Sequence, residues 1–198
     1  MKLTKDFYLD QDVTNIAKHL LGKVLVTRLD DKLTSGIIVE TEAYCGRTDR
    51  ASHAFPNKVT GRTQTMFKEG GLAYIYFVYG MHHLFNVVTN LVGQPDAVLI
   101  RSVEPTQGVK WMKKRRRMDR VDRFLTGGPA RLTQALGISV NFNGISLLGD
   151  QIWIEEGYQP SSNLIMVSTR VGVDYAGTDA QLPWRYFLKE NPFVSKGL

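Results

Sequence analysis

GIIVETEAY, residues 36–44, is the stretch on which the reading of this chain turns. It is rich in apolar and β-branched residues and opens on a glycine, the composition of a strand. Side chains alternate along a strand. Ile37, Val39, Thr41 and Ala43 therefore share one face, suited to a core, and Ile38, Glu40, Glu42 and Tyr44 share the other. Ionised groups are costly in a core unless they are paired, so two carboxylates and a phenol on such a strand predict the floor of a pocket. Just upstream, KVLVTRL (23–29), the Asp30-Asp31 pair and LTSG make this strand the second half of a β-hairpin. Some thirty residues downstream, AYIYFVYGMHH (73–83) places three tyrosines in six positions before a glycine turn. Carboxylates facing an aromatic cluster are what the rest of the chain has to serve.

The 198 residues suffice for one domain, 1–198, with a sizeable core. A hydrophobic content of 43% with 22% charged residues is that of a globular chain. The net charge of +6, from 25 Lys+Arg against 19 Asp+Glu, favours a polyanionic partner. The single Cys45 excludes an internal disulfide framework and a cysteine-based zinc site. No signal-like apolar segment or membrane-spanning run occurs, which predicts a soluble intracellular protein without a membrane partner.

Other segments follow in order. Asp12 is placed to cap a short helix carrying Ile16, Leu20 and Leu21, stopped by Gly22. Residues 45–61 read as a long polar loop holding His53, and long loops in compact domains are commonly functional. A strand over 73–79 returns as 84–90, and AVLIR (97–101) is a further strand ending in Arg101. VKWMKKRRRMDRVDRF (109–124) reads as one basic helix, and ARLTQAL as a helix from Pro129 to Gly137. ISLLGDQIWIE (145–155) reads as a hairpin around Gly149-Asp150, and NLIMVSTRVGV (163–173) as a strand. The aromatic, proline-punctuated tail packs back on the core. The fold class expected is α+β: one domain, a mainly antiparallel curved sheet with surrounding helices and a protruding hairpin.

Each candidate group has a plainer reading. Glu40 and Glu42 could sit on a solvated sheet face, although Tyr44 beside them favours a pocket. His53 alone carries no information. Tyr74, Tyr76 and Val78 share one strand face, so Tyr76 can face a pocket while the turn at Gly80 aims Tyr79 outward. An exposed Tyr79 and Met81 at a hairpin tip are poor core material and suit insertion between stacked bases. The run Lys113, Lys114, Arg115, Arg116 and Arg117 is either a solvated helix face or a surface that tracks phosphates. A basic surface, a projecting wedge and an aromatic pocket with a carboxylate describe an enzyme that extracts a base from duplex DNA.

At this point the order of motifs resembles the alkyladenine (3-methyladenine) DNA glycosylase family. It rests on ETEAY, a histidine nine residues after that tyrosine, YIYFVYGM with a following asparagine, LIRSVEP, GGPARLTQALGI and RVGVDYAG, spanning about Lys23 to Ser195. The resemblance implies that Glu42 activates the attacking water and that Arg101 helps hold that water and the flipped nucleotide's phosphate. It implies Tyr44 and Tyr76 as the rings sandwiching the base, with His53 on the same wall. Asn86 then obstructs the exocyclic amine of normal guanine, and Tyr79, supported by Met81, fills the emptied stack. The partner implied is double-stranded DNA containing damaged purines, including 3-methyladenine, 7-methylguanine, hypoxanthine and ethenoadenine. No cofactor and no metal are expected. The enzyme would be a monofunctional, monomeric hydrolase, cytoplasmic and nucleoid-associated in a bacterium or nuclear in a eukaryote. Two other readings stay open: a metal-dependent nuclease or phosphoesterase using Glu40, Glu42, Asp49 and His53, and a non-catalytic binder of damaged DNA.

Overall fold

The computed structural model describes residues 1–196, so the last two positions of the expected 1–198 domain lie outside it. Strand β1 (Val24–Leu29) and strand β2 (Lys32–Cys45) form the expected hairpin. Asp30 and Asp31 both adopt positive φ, +49° and +56°, the backbone a two-residue hairpin turn requires. The hairpin β3 (Ala73–Val78) and β4 (His82–Thr89) leads to β5 (Asp96–Gln107), which runs six residues beyond the expected AVLIR. β6 (Ile152–Glu155), β7 (Ile165–Ser168) and β8 (Arg185–Leu188) complete the set. All pairings are antiparallel, in the order β3-β4-β5-β2-β1-β6. β8 adds to β2 beyond the end of β1, pairing Glu40–Glu42 with Phe187–Arg185, and β7 adds to β8.

β2 is thus the central strand, covered on both edges where its carboxylates lie. Its pairing with β5 slips three times: Thr106 is an extra residue on β5 opposite Ser35–Gly36, and next to the carboxylates Val39 is the extra residue on β2 and Arg101 the extra residue on β5. Such bulges re-aim side chains, and here they turn Arg101 toward Glu40 and Glu42. Those two and Tyr44 share one side as expected, whereas Ile38 packs in the main core with Val39 and Ala43.

Helix α1 (Val13–His19) is capped by Asp12, whose carboxylate accepts from the Thr14 and Asn15 N–H groups. It packs on the sheet through Ile16 and Ala17, and Thr41 Oγ1 donates to the Ala17 carbonyl at 2.8 Å. The basic segment is not one helix. Helix α2 spans Val109–Arg116 and stops at Arg117, φ +52°, with Met118 N–H returning to the Lys113 carbonyl. That closure lets Met118 pack against the core, a contact that commonly accompanies such helix ends. Asp122 then caps a separate helix, α3 (Arg123–Thr126), by accepting from Phe124 N–H. Helix α4 (Pro129–Leu136) ends at Gly137, φ +78°, as expected, and buries Leu132, Ala135 and Leu136.

The expected hairpin around Gly149-Asp150 is absent. Leu147 is fully buried and its N–H donates to the Gly71 carbonyl, so the segment lines the start of β3 and β6 pairs with β1 instead. The strand expected over 163–173 ends at Ser168, because Arg170 leaves the sheet for a buried partner, Asp49. The tail does pack back, as β8.

Four separate segments meet at Glu40, which is fully buried. It accepts from Arg101 Nε (2.7 Å), Ser102 Oγ (2.9 Å), Arg185 Nε (2.8 Å), and Ser195 N–H and Oγ (2.7 and 2.8 Å). Burial alone would raise the Glu40 pKa, but the Arg101 and Arg185 charges and the hydrogen bonds outweigh it and hold the carboxyl below its ordinary 4.5. Glu40→Gln should destabilise the protein by about 3–5 kcal/mol at neutral pH, because two guanidiniums lose their counter-charge. A carboxyl whose folded pKa is depressed contributes stability above its unfolded pKa and loses it as pH falls through the folded value. Urea unfolding of both proteins from pH 7 down to pH 3 should therefore show the gap constant above the ordinary 4.5 and shrinking below it. A gap that ignores pH would mean that the Glu40 charge does not hold these segments together.

Candidate active site

A cleft of about 710 Å³ opens between β3–β4, the loop after β2, the α3–α4 junction and the segment 171–175. One wall is aromatic. His53 and Tyr76 meet edge-to-face at 4.6 Å between centroids, and Tyr74 lies 5.5 Å from Tyr76. Arg62 stands over the Tyr76 ring at 4.7 Å and donates toward His53 Nε2 at 3.2 Å. With Nε2 accepting, a neutral His53 carries its proton on Nδ1, which lies 3.0 Å from the Tyr74 hydroxyl. Burial, aided by the Arg62 charge, lowers the His53 pKa to about 4, so the ring is neutral at pH 7. Burial also pushes the Tyr74 phenol up to about 12 and raises the Tyr44 and Tyr76 phenols well above the ordinary value, so all three hydroxyls keep their protons.

The floor is built by β2 and β5. Tyr44 and Arg101 line the cleft, and Glu42 lies directly beneath them with no exposed surface. The Tyr44 hydroxyl donates to Glu42 Oε2 at 2.7 Å, Val171 N–H donates to Oε1 at 2.8 Å, and Arg101 Nη1 stands 3.1 Å from Oε1. Arg101 is fixed at its other nitrogens, with Nε on Glu40 and Nη2 on Ser195 Oγ. Tyr44 is fixed from behind: the Arg170 guanidinium lies 4.8 Å from its ring centroid and makes a fully buried, two-pronged ion pair with Asp49. Asn86 lines the same cleft and donates from Nδ2 to the Tyr74 carbonyl at 3.0 Å, which fixes its amide.

The hairpin tip projects at the mouth. Tyr79 is 85% and Met81 68% exposed, and Tyr79 holds φ +53° beside Gly80 at φ +67°. A left-handed tyrosine is uncommon; here it keeps a large apolar ring in solvent, closed by Met81 N–H on the Val78 carbonyl at 3.2 Å.

The structure therefore brings Glu42, Arg101, Tyr44, His53, Tyr76, Asn86 and Tyr79 to one cleft, with Met81 beside Tyr79 at its rim. It does not bring the run 113–117 there. Arg115 Nη1 donates to the Ala135 carbonyl and Thr34 Oγ1, and Arg116 bonds Gln134 and the Phe124 carbonyl, so both tie α2 to its neighbours. Lys114 and Arg117 are exposed and Lys113 is half-buried, away from the lining. Nor do Glu40, Glu42, Asp49 and His53 assemble as a metal site. Two arginines take Glu40 and Arg170 takes Asp49, and among the described residues no three such side chains gather around an ion-sized space.

Sequence reasoning missed the groups that arrive from the C-terminal third: Val171, Arg170, Arg185 and Ser195. It also missed the charge pattern of the lining. Arg62, Arg101, Arg123, Arg131 and Lys196 line the cleft, and among the described residues no aspartate or glutamate does. An open, aromatic, uniformly cationic cleft above a buried carboxylate is suited to a polyanion carrying a flat ring.

Comparison with known proteins gives the same direction. A family model described as methylpurine-DNA glycosylase matches residues 6–192. A protein of Bacillus cytotoxicus is 43% identical over 205 residues, covering 99% of this chain and all of its own length. One from Alkaliphilus oremlandii is 42% identical over 205 residues with the same coverage, and one from Chlamydia abortus 46% over 187 residues, 94% of this chain and 97% of its own. Their names describe all three as candidate 3-methyladenine DNA glycosylases. By match and by coverage, this chain belongs to the methylpurine-DNA glycosylase family.

Proposed function

We propose that this protein excises alkylated purines, 3-methyladenine among them, from duplex DNA by hydrolysing the N-glycosidic bond of a base flipped into the aromatic cleft. The observation that carries the proposal is the setting of Glu42, a carboxylate held by a phenol, an arginine and a backbone N–H beneath a cleft walled by aromatic rings. All three of these partners line the cleft, so a slight displacement of any of them opens Glu42 to a water there.

In the reaction, breaking the bond to the purine builds positive charge on the sugar, which a nearby carboxylate stabilises. Glu42 takes a proton from the water as its oxygen bonds to the anomeric carbon, and the bonding pair leaves with the purine. An alkylated, cationic purine departs neutral and needs no acid. His53, neutral at pH 7, serves as a hydrogen-bonding wall and not as an imidazolium acid. Tyr44 and Tyr76 stack a cationic ring, each such contact being worth about 0.5–2 kcal/mol. Asn86, its amide fixed, stands against the exocyclic amine of undamaged guanine, and Tyr79 with Met81 holds the gap in the stack. The product is an intact abasic site. Lys196 lines the cleft rim, exposed, and forms no imine in this scheme, so borohydride should trap no enzyme–DNA adduct.

Glu42→Gln should slow release of free base from alkylated duplex in EDTA by about 10²–10⁴-fold, the usual worth of a positioned proton acceptor. Binding to a duplex carrying an abasic-site analogue should persist. Excision at the unmodified rate would overturn the assignment of Glu42, and a native protein that binds but never releases base would be a binder only. Tyr44→Phe keeps the ring and deletes only the donor to Glu42. Single-turnover excision should fall by about 10–100-fold, the worth of a hydrogen bond to a charged group, with lesion affinity retained. An unchanged rate would confine Tyr44 to stacking.

A further inference from the structure

Where the duplex backbone rests is not settled by the basic run of α2, which is turned to other work. At the α3–α4 junction, Arg123 and Arg131 flank a single ring, with guanidinium carbons 4.7 and 5.0 Å from the Phe124 centroid. All three residues line the cleft. Arg131 Nη1 is anchored on the Gly127 carbonyl at 3.0 Å. A third guanidinium stands close by: Arg116 donates to the Phe124 carbonyl at 3.0 Å, and its pKa is lowered, by burial first and then by the charge of Arg131. Among the described residues none of the three has a carboxylate within ion-pair distance; the nearby Asp122 is paired with Arg120. Half-buried guanidiniums gathered around one phenyl ring, two of them anchored on backbone carbonyls and none with a counter-charge, suit an anion.

The place of this group indicates which anion. Gly127 bridges to Ser102, the residue after Arg101, and Gly128 N–H donates to Ser102 Oγ at 3.1 Å. The same hydroxyl donates to Glu40. The arginine pair is therefore fixed, through one serine, to the floor that holds Arg101 and Glu42. Arg101 cannot serve as a mobile phosphate hook, since Glu40 and Ser195 hold its Nε and Nη2.

We infer that Arg123 and Arg131, braced on Phe124, form the principal phosphodiester clamp of this protein, gripping backbone phosphates beside the nucleotide that enters the cleft. The clamp rests on the proposed function for the identity of that nucleotide, but its own logic requires only a nucleic-acid backbone. Arg116 braces the clamp from behind, while Lys114 and Arg117 are solvated charges of α2.

The test compares equal charge removal at two places. Affinity for an undamaged duplex is measured between about 50 and 200 mM salt for the native protein, for Arg123→Gln with Arg131→Gln, and for Lys114→Gln with Arg117→Gln. Each neutralised phosphate contributes about 0.9 to the slope of log affinity against log salt. The slope of the clamp variant should fall by about 2, and the α2 variant should keep the native slope. Arg123→Lys with Arg131→Lys should recover much of the slope, which a merely structural role for these residues would not produce. Equal slopes in all proteins, or a loss confined to the α2 variant, would overturn the clamp. A native protein that released no base from alkylated DNA would overturn the glycosylase reading alone, since the slope comparison is made on undamaged duplex.

Discussion

Everything in this fold that bears on chemistry depends on neutralising negative charge where water does not reach. Glu40, Glu42 and Asp49 are fully buried, and a buried carboxylate is tolerable only with counter-charge and hydrogen bonds. Satisfying Glu40 requires donors from β2's neighbours on both edges and from the C-terminal tail. Satisfying Asp49 requires Arg170, which carries Val171 N–H to Glu42 in the same stroke. Arg101 joins the two systems, with one nitrogen on each glutamate. A lysine has no fork and could not span both at once. The ion pairs and hydrogen bonds that set Arg101 beside Glu42 thus also hold β5, β8 and the tail to β2.

That dependence also explains what could be read from sequence and what could not. Local chemistry was legible. The Asp12 cap, the Asp30-Asp31 turn, the Tyr79-Gly80 tip and the Pro129–Gly137 helix are written in residues a few positions apart, and the ETEAY strand announces its carboxylates by their cost. The partners of those carboxylates are not local. Arg185 and Ser195 bond Glu40 from 145 and 155 positions away, and Val171 bonds Glu42 from 129. In sequence, Arg185 is one charge in an aromatic run, and Arg170, although it opens the RVGVDYAG motif, sits in a strand-like run with nothing to mark Asp49 as its partner. The basic helix failed for a related reason. Residues 113–118 have good helical propensity, yet Met118 gains a core contact by turning back, and Arg115 and Arg116 find acceptors on α3 and α4. Tertiary contacts overrode propensity there.

Charge is layered across the cleft, with cations in the lining and Glu42 buried beneath them. A carboxylate exposed in the lining would repel the phosphates flanking any nucleotide drawn in, and the repulsion would be strong in a cleft with low-dielectric walls. In the proposed reaction, a carboxylate absent from the neighbourhood would leave the developing charge on the sugar without a partner. Placing Glu42 one layer below the surface, beneath Tyr44 and Arg101, resolves the conflict. In the proposed complex, phosphates at the mouth would meet the cations of the lining, while the sugar at the floor would sit closest to the acid. In the same layering, the Tyr44 hydroxyl donates to Glu42 Oε2. The phenol hydrogen-bonds the carboxylate and lines the cleft with its ring, so in the proposed reaction one side chain would both cover the acid and stack on the base.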